Sequence, residues 1–377
     1  MFNRNAISTF ILMAFLTLPF GGALLGFCPP IVARAGSSSS IATGGSEAQQ
    51  RFSVPAQRVL IYPLVLDAYL TLDGGTQHIV GASRSSIDWA RRAGFRDIYP
   101  EIDHILDIGN SLAPASAENA LLLQPDAVFS WPQFAEPLRQ AGVPNLVEVP
   151  GSIEHEREAL RLVGVISGTL ARAEYILERQ AEKLRDLSAN IQLSSSTPQN
   201  FLIFGGGVNT QYIAGRTYYL TKKLEFIGLQ NAVKTGGSFD LERLMVLNPD
   251  VLFLDGALNN DSPQTFYRNK AWRALRAVQG GRVYKMPVHS LSNGPVYDPI
   301  LLRWMTELLF PKQMTSSIRA EIRQMYNAIY GISVDDGEVD KYLLMSANIE
   351  STNYSRFTSL PNVTGDDPVP MKPTSQN

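Results

Sequence analysis

Short apolar runs alternate with helical patterns along the chain from about residue 51 onward. Four of these runs in the first part of the chain are rich in β-branched residues and predict strands, at 58–62 (RVLIY), 78–82 (HIVGA), 127–130 (AVFS) and 145–149 (NLVEV). Several are apolar at almost every position, which is typical of parallel strands that are buried on both faces. The alternation therefore predicts an α/β lobe.

A very long helical pattern follows this first set of strands. Residues 153–190 contain no proline and keep apolar residues at helical spacing, so they predict one long helix with a bend near Gly164 and Gly168. A polar segment at 194–199 ends the helix. Three further strand patterns, at 200–204, 251–255 and 282–286, then predict a second α/β lobe.

An internal repeat strengthens the prediction of two lobes. The segment 118–129 (ENALLLQPDAVF) matches 242–253 (ERLMVLNPDVLF), and in each copy a short helical pattern runs into Pro-Asp and then into a buried strand. We therefore expect two equivalent lobes on either side of a linking helix. The boundaries predicted from these patterns are 52–152 for the N-terminal lobe, 153–192 for the linking helix and 198–345 for the C-terminal lobe.

The N-terminal segment has the pattern of an export signal. An apolar stretch at 6–27 follows Arg4, and Ala33-Arg34-Ala35 supplies the small residues of a signal-peptidase site. We predict a signal peptide over 1–35, cleaved after Ala35, and hence a periplasmic protein. An uncleaved membrane anchor is the alternative, but proline and glycine interrupt the stretch and no basic cluster follows it.

The ends of the exported chain carry little apolar pattern. Residues 36–51 are rich in Gly and Ser and predict a flexible leader, whereas 346–377 lose apolar periodicity and predict a disordered tail. Cys28, the only cysteine, lies in a sequence like a lipoprotein box, but bulky Phe27 occupies the small-residue position. Lipid anchoring at Cys28 is therefore disfavoured, and cleavage after Ala35 leaves a chain without thiols.

Size and charge narrow the range of functions. The chain has 377 residues, 45% of them hydrophobic, which is enough for two lobes with separate cores. Its formal net charge of −2 gives no basic field that would hold nucleic acid. We find no Gly-x-Ser-x-Gly sequence and no convincing acid–base pair, so an enzyme is not predicted.

Several segments together resemble one protein family. They are the run at 58–62, the two repeated units, the long middle helix, 271–284 (AWRALRAVQGGRVY), 297–305 (YDPILLRWM) and 326–331 (YNAIYG). Their order and spacing over about residues 55–345 resemble the periplasmic binding proteins for iron–siderophore, haem and corrinoid complexes. The resemblance implies two Rossmann-like lobes joined by a single long α-helix, with the ligand in the cleft between the lobes.

The resemblance also implies partners. Members of this family deliver a small-molecule metal complex to an inner-membrane permease that is driven by an ATPase, have no intrinsic cofactor and act as monomers. They dock through one acidic surface residue on each lobe, and the matching positions here are Glu118 and Glu242. A simpler interpretation is that both glutamates only favour a helix N-terminus. Their equivalent placement in the two copies favours docking.

Ligand-contacting residues are expected where strands end, because open α/β sheets bind small molecules at the carboxyl ends of their strands. The candidate side chains near these ends are Tyr62, Ser83, Arg84, Trp131, Arg216, Asp255, His289 and Tyr297. Arg84 and Arg216 can clamp anionic oxygens, and Trp131 can stack on a planar ligand. His289 or Tyr297 can reach an open position on chelated iron. Each residue alone is also compatible with a structural role.

Two other patterns are weaker. His104 lies near Glu101 and Asp103, but the four histidines are scattered without the spacing of a dedicated zinc or manganese site. The triplet 205–207 (GGG) lacks the spacing of a nucleotide-binding loop and predicts a tight turn near the cleft. We therefore expect a receptor for a metal chelate, above all a ferric siderophore. The alternatives are a bare-metal receptor, a metallochaperone or metalloenzyme on the same scaffold, and a ligand sensor.

Overall fold

The computed structural model describes residues 55–111, 116–143, 145–149, 155–190, 199–206, 212–215, 218–256, 259–287, 294–311, 314 and 317–358. Several predictions fall outside the described residues: the signal peptide over 1–35, the possible lipid site at Cys28, the leader over 36–51, and the candidate ligand residues Arg216 and His289.

The first lobe is built on a four-stranded sheet with the order β2-β1-β3-β4. Its strands are β1 Val59–Ile61, β2 Ile79–Ala82, β3 Ala127–Ser130 and β4 Leu146–Glu148. All pairings are parallel, and β1 and β3 are buried at every residue. Helices cover both faces of the sheet, so the apolar runs that predicted these four strands are confirmed.

The second lobe has a mixed sheet with the order β10-β9-β5-β6-β8, and β7 pairs with β5. Its strands are β5 Asn200–Phe204, β6 Tyr212–Ile213, β7 Gln230–Asn231, β8 Gly237–Ser238, β9 Val251–Leu254 and β10 Val283–Lys285. β5, β9 and β10 run parallel and were predicted, whereas β6 is antiparallel to both β5 and β8. The strands β6, β7 and β8 were not predicted, because two residues are too short to show an alternating pattern.

Helices connect the strands in both lobes. The first lobe contains α1 Leu66–Asp73, α2 Arg84–Arg92, α3 Phe95–Ile98, α4 Ala117–Leu122 and α5 Pro132–Gln140. In the sequence, the strands of the two sheets are separated by α6 Glu156–Ile166 and α7 Leu170–Asn190. The second lobe contains α8 Tyr219–Phe226, α9 Leu241–Leu247, α10 Pro263–Arg268, α11 Arg276–Gln279, α12 Gly294–Leu309, α13 Ile318–Tyr330 and α14 Asp336–Tyr342.

The helix predicted over 153–190 is two helices instead of one. It breaks between α6 and α7, where Gly168 has a φ of 73° and lies so close to Pro55 that a Cβ atom would approach the proline Cβ to 2.9 Å. Arg161 on α6 pairs with Glu174 on α7 at 2.6 Å, so the two helices run side by side in opposite directions. The predicted bend at this glycine is therefore a reversal of the chain.

The helix α7 carries the chain from the first lobe to the second. It has 21 residues and is about 31 Å long at a rise of 1.5 Å per residue. Its first half packs in the core of the first lobe through Ile176 and Leu177, and Leu187 near its end packs in the core of the second lobe. Tyr297 and Ile300 divide α12 between the same two cores. The linking helix is thus supported by packing from the C-terminal helices.

The C-terminal tail begins later than the sequence predicts. Residues 346–358 are packed on the second lobe, where Tyr354 and Phe357 are each 1% exposed. The indole Nε1 of Trp304 donates a hydrogen bond to the Tyr354 hydroxyl at 3.1 Å. The prediction of disorder from Ser346 onward is therefore wrong as far as residue 358, because two aromatic side chains anchor an otherwise polar segment. Residues 359–377 lie outside the described part of the chain.

Candidate ligand-binding site

In each lobe the chain leaves the carboxyl end of one strand and later begins a helix at the boundary between the lobes. α6 begins at Glu156, eight residues after β4 ends, and α12 begins at Gly294, nine residues after β10 ends. The first turns of these two helices contact each other, since a Cβ atom on Gly294 would approach Glu156 Oε2 to 2.3 Å. The lobes thus contact each other where two helices begin, and each of these helices follows a strand end in the sequence. Open α/β sheets bind small molecules beyond the carboxyl ends of their strands.

Arg84 stands at this edge of the first lobe with an exposed charge. Its guanidinium follows β2, is 56% exposed and donates through Nε to Asp107 Oδ2 at 2.8 Å. The pair is at the surface, so it adds little to stability and leaves other donors of the guanidinium accessible. This placement is compatible with the predicted role as an anion clamp.

Trp131 lies at the same edge, directly after β3. It is partly exposed and is the N-cap residue of α5. Its buried indole Nε1 has no hydrogen-bond partner within the described residues. A buried N–H group normally has an acceptor, so this donor is an exception. The exposed part of the ring is the surface that a planar ligand can stack on.

Tyr62 and Ser83 lie at strand ends but are buried. The Tyr62 hydroxyl donates to the backbone oxygen of Ser116 at 3.3 Å, and burial raises the pKa of Tyr62 to about 12. Ser83 is 0% exposed and caps α2, because its hydroxyl accepts the backbone N–H of Ser86 at 3.2 Å. Direct ligand contact predicted for Ser83 does not fit this placement, and Tyr62 remains a neutral phenol.

Tyr297 is not at the cleft. It is 3% exposed in the core of the first lobe, and its hydroxyl is 2.9 Å from that of Tyr330. Burial raises the pKa of Tyr297 well above its ordinary value, so the phenolate needed to bind iron is disfavoured. The predicted contact between Tyr297 and the ligand is therefore wrong, because α12 turns this side chain into the core.

Asp255 ends β9 and forms a buried polar cluster in the second lobe. It is 0% exposed and accepts a hydrogen bond from the Tyr218 hydroxyl. Lys285, at the end of the neighbouring strand β10, lies near it: burial lowers the pKa of Lys285 to about 8, while Asp255 and Asp261 oppose that shift. These contacts hold the ends of β9 and β10 in place, and they keep Asp255 away from solvent.

Asn259 holds the glycine turn that follows β5. Its side-chain amide donates to the backbone oxygens of Phe204 at 3.3 Å and Gly206 at 2.6 Å, and the residue is 1% exposed. The sequence predicted a tight turn at 205–207, of which residue 207 lies outside the described residues. The asparagine was not predicted, although a polar residue five positions after a buried strand was a possible signal.

The bare-metal alternative at His104 gains no support from its neighbours. Asp103 pairs with Arg91 at 2.9 Å and with Arg96 at 2.7 Å. Two guanidinium groups therefore occupy the carboxylate that a metal ion would need. Within the described ranges, no group of three or more His, Cys, Asp or Glu side chains has the geometry of a metal site.

A buried charge cluster near the cleft was missed by the sequence analysis. Lys223 on α8 lies 2.7 Å from Asp298 Oδ1 and 3.1 Å from Glu156 Oε1, and all three side chains are 7% exposed. Burial is the largest cause that raises the pKa of Glu156 to about 8, and Asp298 adds to the rise while Lys223 opposes it. Because the three residues are far apart in the sequence, no local sequence motif predicts the cluster.

The two repeated units fold alike. Glu118 and Glu242 are exposed in the first turns of α4 and α9, and the N-cap side chains Ser116 and Asp240 begin both helices. One turn further along, Leu122 is 78% exposed and Val246 is 85% exposed. Each lobe thus presents a carboxylate followed by an exposed apolar side chain, and we call these four residues the paired surface.

Two bacterial relatives match part of the chain. An iron-uptake system-binding protein of Bacillus subtilis is 22% identical over 213 residues, which cover 53% of this chain and 67% of that protein. YhfQ of the same organism, named as a candidate substrate-binding lipoprotein of an ABC transporter, is 24% identical over 213 residues, with 50% of this chain and 64% of YhfQ covered. The match thus spans about two thirds of the length of each relative.

The fold is shared with solved structures. The crystal structure of a periplasmic solute binding protein from Veillonella parvula superposes with a TM-score of 0.69 at 22% sequence identity, covering 79% of this chain and 94% of that one. Among the helices that the structure describes here, none is long and apolar enough to cross a membrane.

The family assignment comes from the sequence match. The family described as periplasmic binding protein matches residues 69–289, more than half of the chain. That segment includes both repeated units, the linking helix α7 and the ends of all the named strands except β1. The chain therefore belongs to the periplasmic binding protein family.

Proposed function

We propose that this protein captures a metal chelate, with a ferric siderophore as the first candidate, in the cleft between its lobes and delivers it to an inner-membrane permease. The iron-uptake protein among its relatives supports iron as the metal. The protein performs no chemistry in this proposal, because its task is to bind the chelate and release it to the permease.

Arg84 and Trp131 carry the proposal for the ligand. They follow β2 and β3, which flank β1 in the sheet, so they are two strands or about 10 Å apart along one edge. An exposed guanidinium binds anionic oxygens, and a partly exposed indole stacks on a planar ring. A chelate with aromatic rings and anionic oxygens can satisfy both side chains together.

Tryptophan fluorescence tests this proposal. Ferric catecholate and hydroxamate siderophores, haem, cobalamin and the free ions of iron, nickel and zinc are titrated into the purified protein. We expect saturable quenching by one chelate, reduced in Trp131→Phe and retained in Trp272→Phe, whose indole is buried in the second lobe. Tight binding of a free ion alone would contradict the proposal in favour of a bare-metal receptor or metallochaperone.

We infer that the paired surface docks the permease. Its two carboxylates occupy equivalent positions on separate lobes and can pair with basic side chains of the permease. The exposed Leu122 and Val246 beside them supply apolar area that a protein partner can bury. A partner that contacts both lobes at once can also respond to their separation.

Uptake of a labelled ferric siderophore by cells tests docking. The double variant Glu118→Gln/Glu242→Gln should keep ligand affinity while uptake falls at least about tenfold. The matched variant Glu101→Gln/Glu178→Gln removes two exposed carboxylates elsewhere and should leave uptake unchanged. Normal uptake by the first variant would contradict docking and favour a ligand sensor.

A further inference from the structure

The charge cluster formed by Glu156, Lys223 and Asp298 lies on the boundary between the lobes. Glu156 begins α6, whose Leu160 packs in the core of the first lobe, and Lys223 is on α8, whose Leu224 packs in the core of the second. Asp298 is on α12, which packs in both cores. The Lys223 ammonium group thus connects one lobe to the other.

The contact is tight as well as buried. Lys223 Nζ is 2.7 Å from Asp298 Oδ1 and 3.1 Å from Glu156 Oε1, and each side chain is 7% exposed. Gly294 is required here, because a Cβ atom at that position would come within 2.3 Å of Glu156 Oε2 and 3.0 Å of Asp298 Oδ2. The carboxylate of Glu156 is therefore enclosed by the first turns of α12.

Such a cluster tolerates little movement. A buried charge is costly unless its partner stays within contact distance, and water cannot replace the partner when the site is closed. Any rotation that separates α6 from α8 breaks the contact between Lys223 and Glu156. The relative position of the lobes is consequently coupled to this buried contact of Lys223 with its two acidic partners, in addition to the apolar packing of α7 and α12.

We propose that Glu156, Lys223 and Asp298 are positioning residues that hold the two lobes at the angle at which the cleft binds its ligand. They act through the lobes and do not contact the ligand themselves. The link to binding rests on the proposed function, whereas the effect on lobe angle does not depend on any ligand. An affinity for the ligand falls in proportion to the fraction of protein in the binding-competent arrangement.

The lobe angle can be measured with spin labels on the unliganded protein. The exposed positions Leu122 and Val246 are on helices of separate lobes, so Leu122→Cys and Val246→Cys in a full chain carrying Cys28→Ser provide two labelled sites. Double electron–electron resonance then gives the distribution of distances between the lobes.

Two variants separate positioning from general stability. The variant Glu156→Gln/Lys223→Met/Asp298→Asn keeps the side-chain shapes and leaves no buried charge, which favours normal folding. Glu307→Gln removes a carboxylate that pairs with Arg303 at 3.1 Å inside the second lobe, where both side chains are 8% exposed. Lys223→Met alone leaves two facing carboxylates and serves as a further test if it folds.

The triple variant should show a broader interlobe distribution with a second, longer distance, whereas Glu307→Gln should keep the parent distribution. If one tenth of the triple variant keeps the parent arrangement, its affinity for a ferric catecholate siderophore falls about tenfold. A parent-like distribution in a folded triple variant would overturn the proposal. Failure of the parent protein to bind the siderophore would instead contradict the proposed function and leave the distance result decisive for the lobe angle.

Discussion

The two lobes differ in how far the polar side chains at their strand ends are exposed to solvent. In the first lobe, Arg84 is 56% exposed and pairs with Asp107 at the surface. In the second lobe, Asp255 is 0% exposed and is bound by the Tyr218 hydroxyl with Lys285 nearby. The comparison separates polar groups that are available to a ligand from polar groups that hold the scaffold.

The difference follows from which atoms water can reach. A surface ion pair is screened and exchanges its partner at little cost, so Arg84 can turn to a ligand. A buried carboxylate loses its hydration and depends on fixed donors. Substitutions of the exposed side chains at the edge of the first lobe should therefore change ligand affinity, whereas substitutions of the buried polar groups in the second lobe should change the free energy of unfolding.

The largest expected effect is on how the free energy of unfolding depends on pH. This dependence has opposite signs for Glu156 and for Lys285. Burial raises the pKa of Glu156 in the folded state to about 8, whereas the ordinary pKa of a glutamate is 4.5. The stabilisation that protonated Glu156 gives to the folded state is therefore complete below about pH 4.5, and it is lost as the pH rises to about 8. The free energy of unfolding should fall by up to about 1.4 kcal/mol per pH unit in this window.

Lys285 acts in the next window. Its folded pKa of about 8 lies below the ordinary value of 10.5, so the unfolded chain binds more protons between these values and stability rises with pH there. Urea unfolding between pH 5 and 10 should therefore show a minimum near pH 8. Glu156→Gln should make the falling limb shallower, while Asp298, whose pKa burial also raises, keeps part of it. A parent-like falling limb in that variant would contradict the assignment to Glu156.

The next largest effect separates Asp255 from Asp107. Asp255→Asn should lower the free energy of unfolding by about 3 kcal/mol, because it removes the buried charge that the half-buried Lys285 and Tyr218 face. Asp107→Asn should cost less than about 1 kcal/mol, because its pair with Arg84 is at the surface. Chemical denaturation measures both values, and equal losses would remove the distinction between the lobes.

A smaller effect on binding is expected for the first lobe. Trp131→Ala should weaken binding of the chelate by about 2 kcal/mol, or roughly thirtyfold, since a partly buried aromatic side chain loses its contact area. Calorimetric titration gives the affinity, and thermal unfolding should show that the variant remains folded. An unchanged affinity would place the ligand away from β3.

The smallest effect concerns Ser83, which we now regard as a helix cap. Ser83→Ala should lower the free energy of unfolding by about 1 kcal/mol, because the N–H of Ser86 loses its acceptor. The affinity for the chelate should stay the same. A marked loss of affinity without loss of stability would restore the original prediction of ligand contact.

The strands and the repeat were predictable because their signals are local. The runs at 127–130 and 251–254 are apolar except for Ser130, and the same Pro-Asp sequence precedes both. The chain reversal at Gly168 was only partly predictable, since a glycine marks a possible break but the contact with Pro55 that fixes the turn is more than 100 residues away.

The candidate site was less predictable because it depends on side-chain direction and on distant contacts. Tyr297 follows the cleft loop in sequence, yet the first turn of α12 points it into the core beside Tyr330. Glu156, Lys223 and Asp298 meet only after both lobes have formed. For the tail, Tyr354 and Phe357 were visible in the sequence as aromatic residues within a polar segment and were a signal for packing.

Native mass spectrometry tests the central claim most directly, because it reports the mass and the stoichiometry of a bound ligand together. The purified protein is mixed with ferric catecholate and hydroxamate siderophores, haem, cobalamin and free iron, nickel and zinc. We predict one adduct per chain whose mass equals that of an intact metal chelate. An adduct with a bare ion alone, or no adduct with any of these compounds, would contradict the claim.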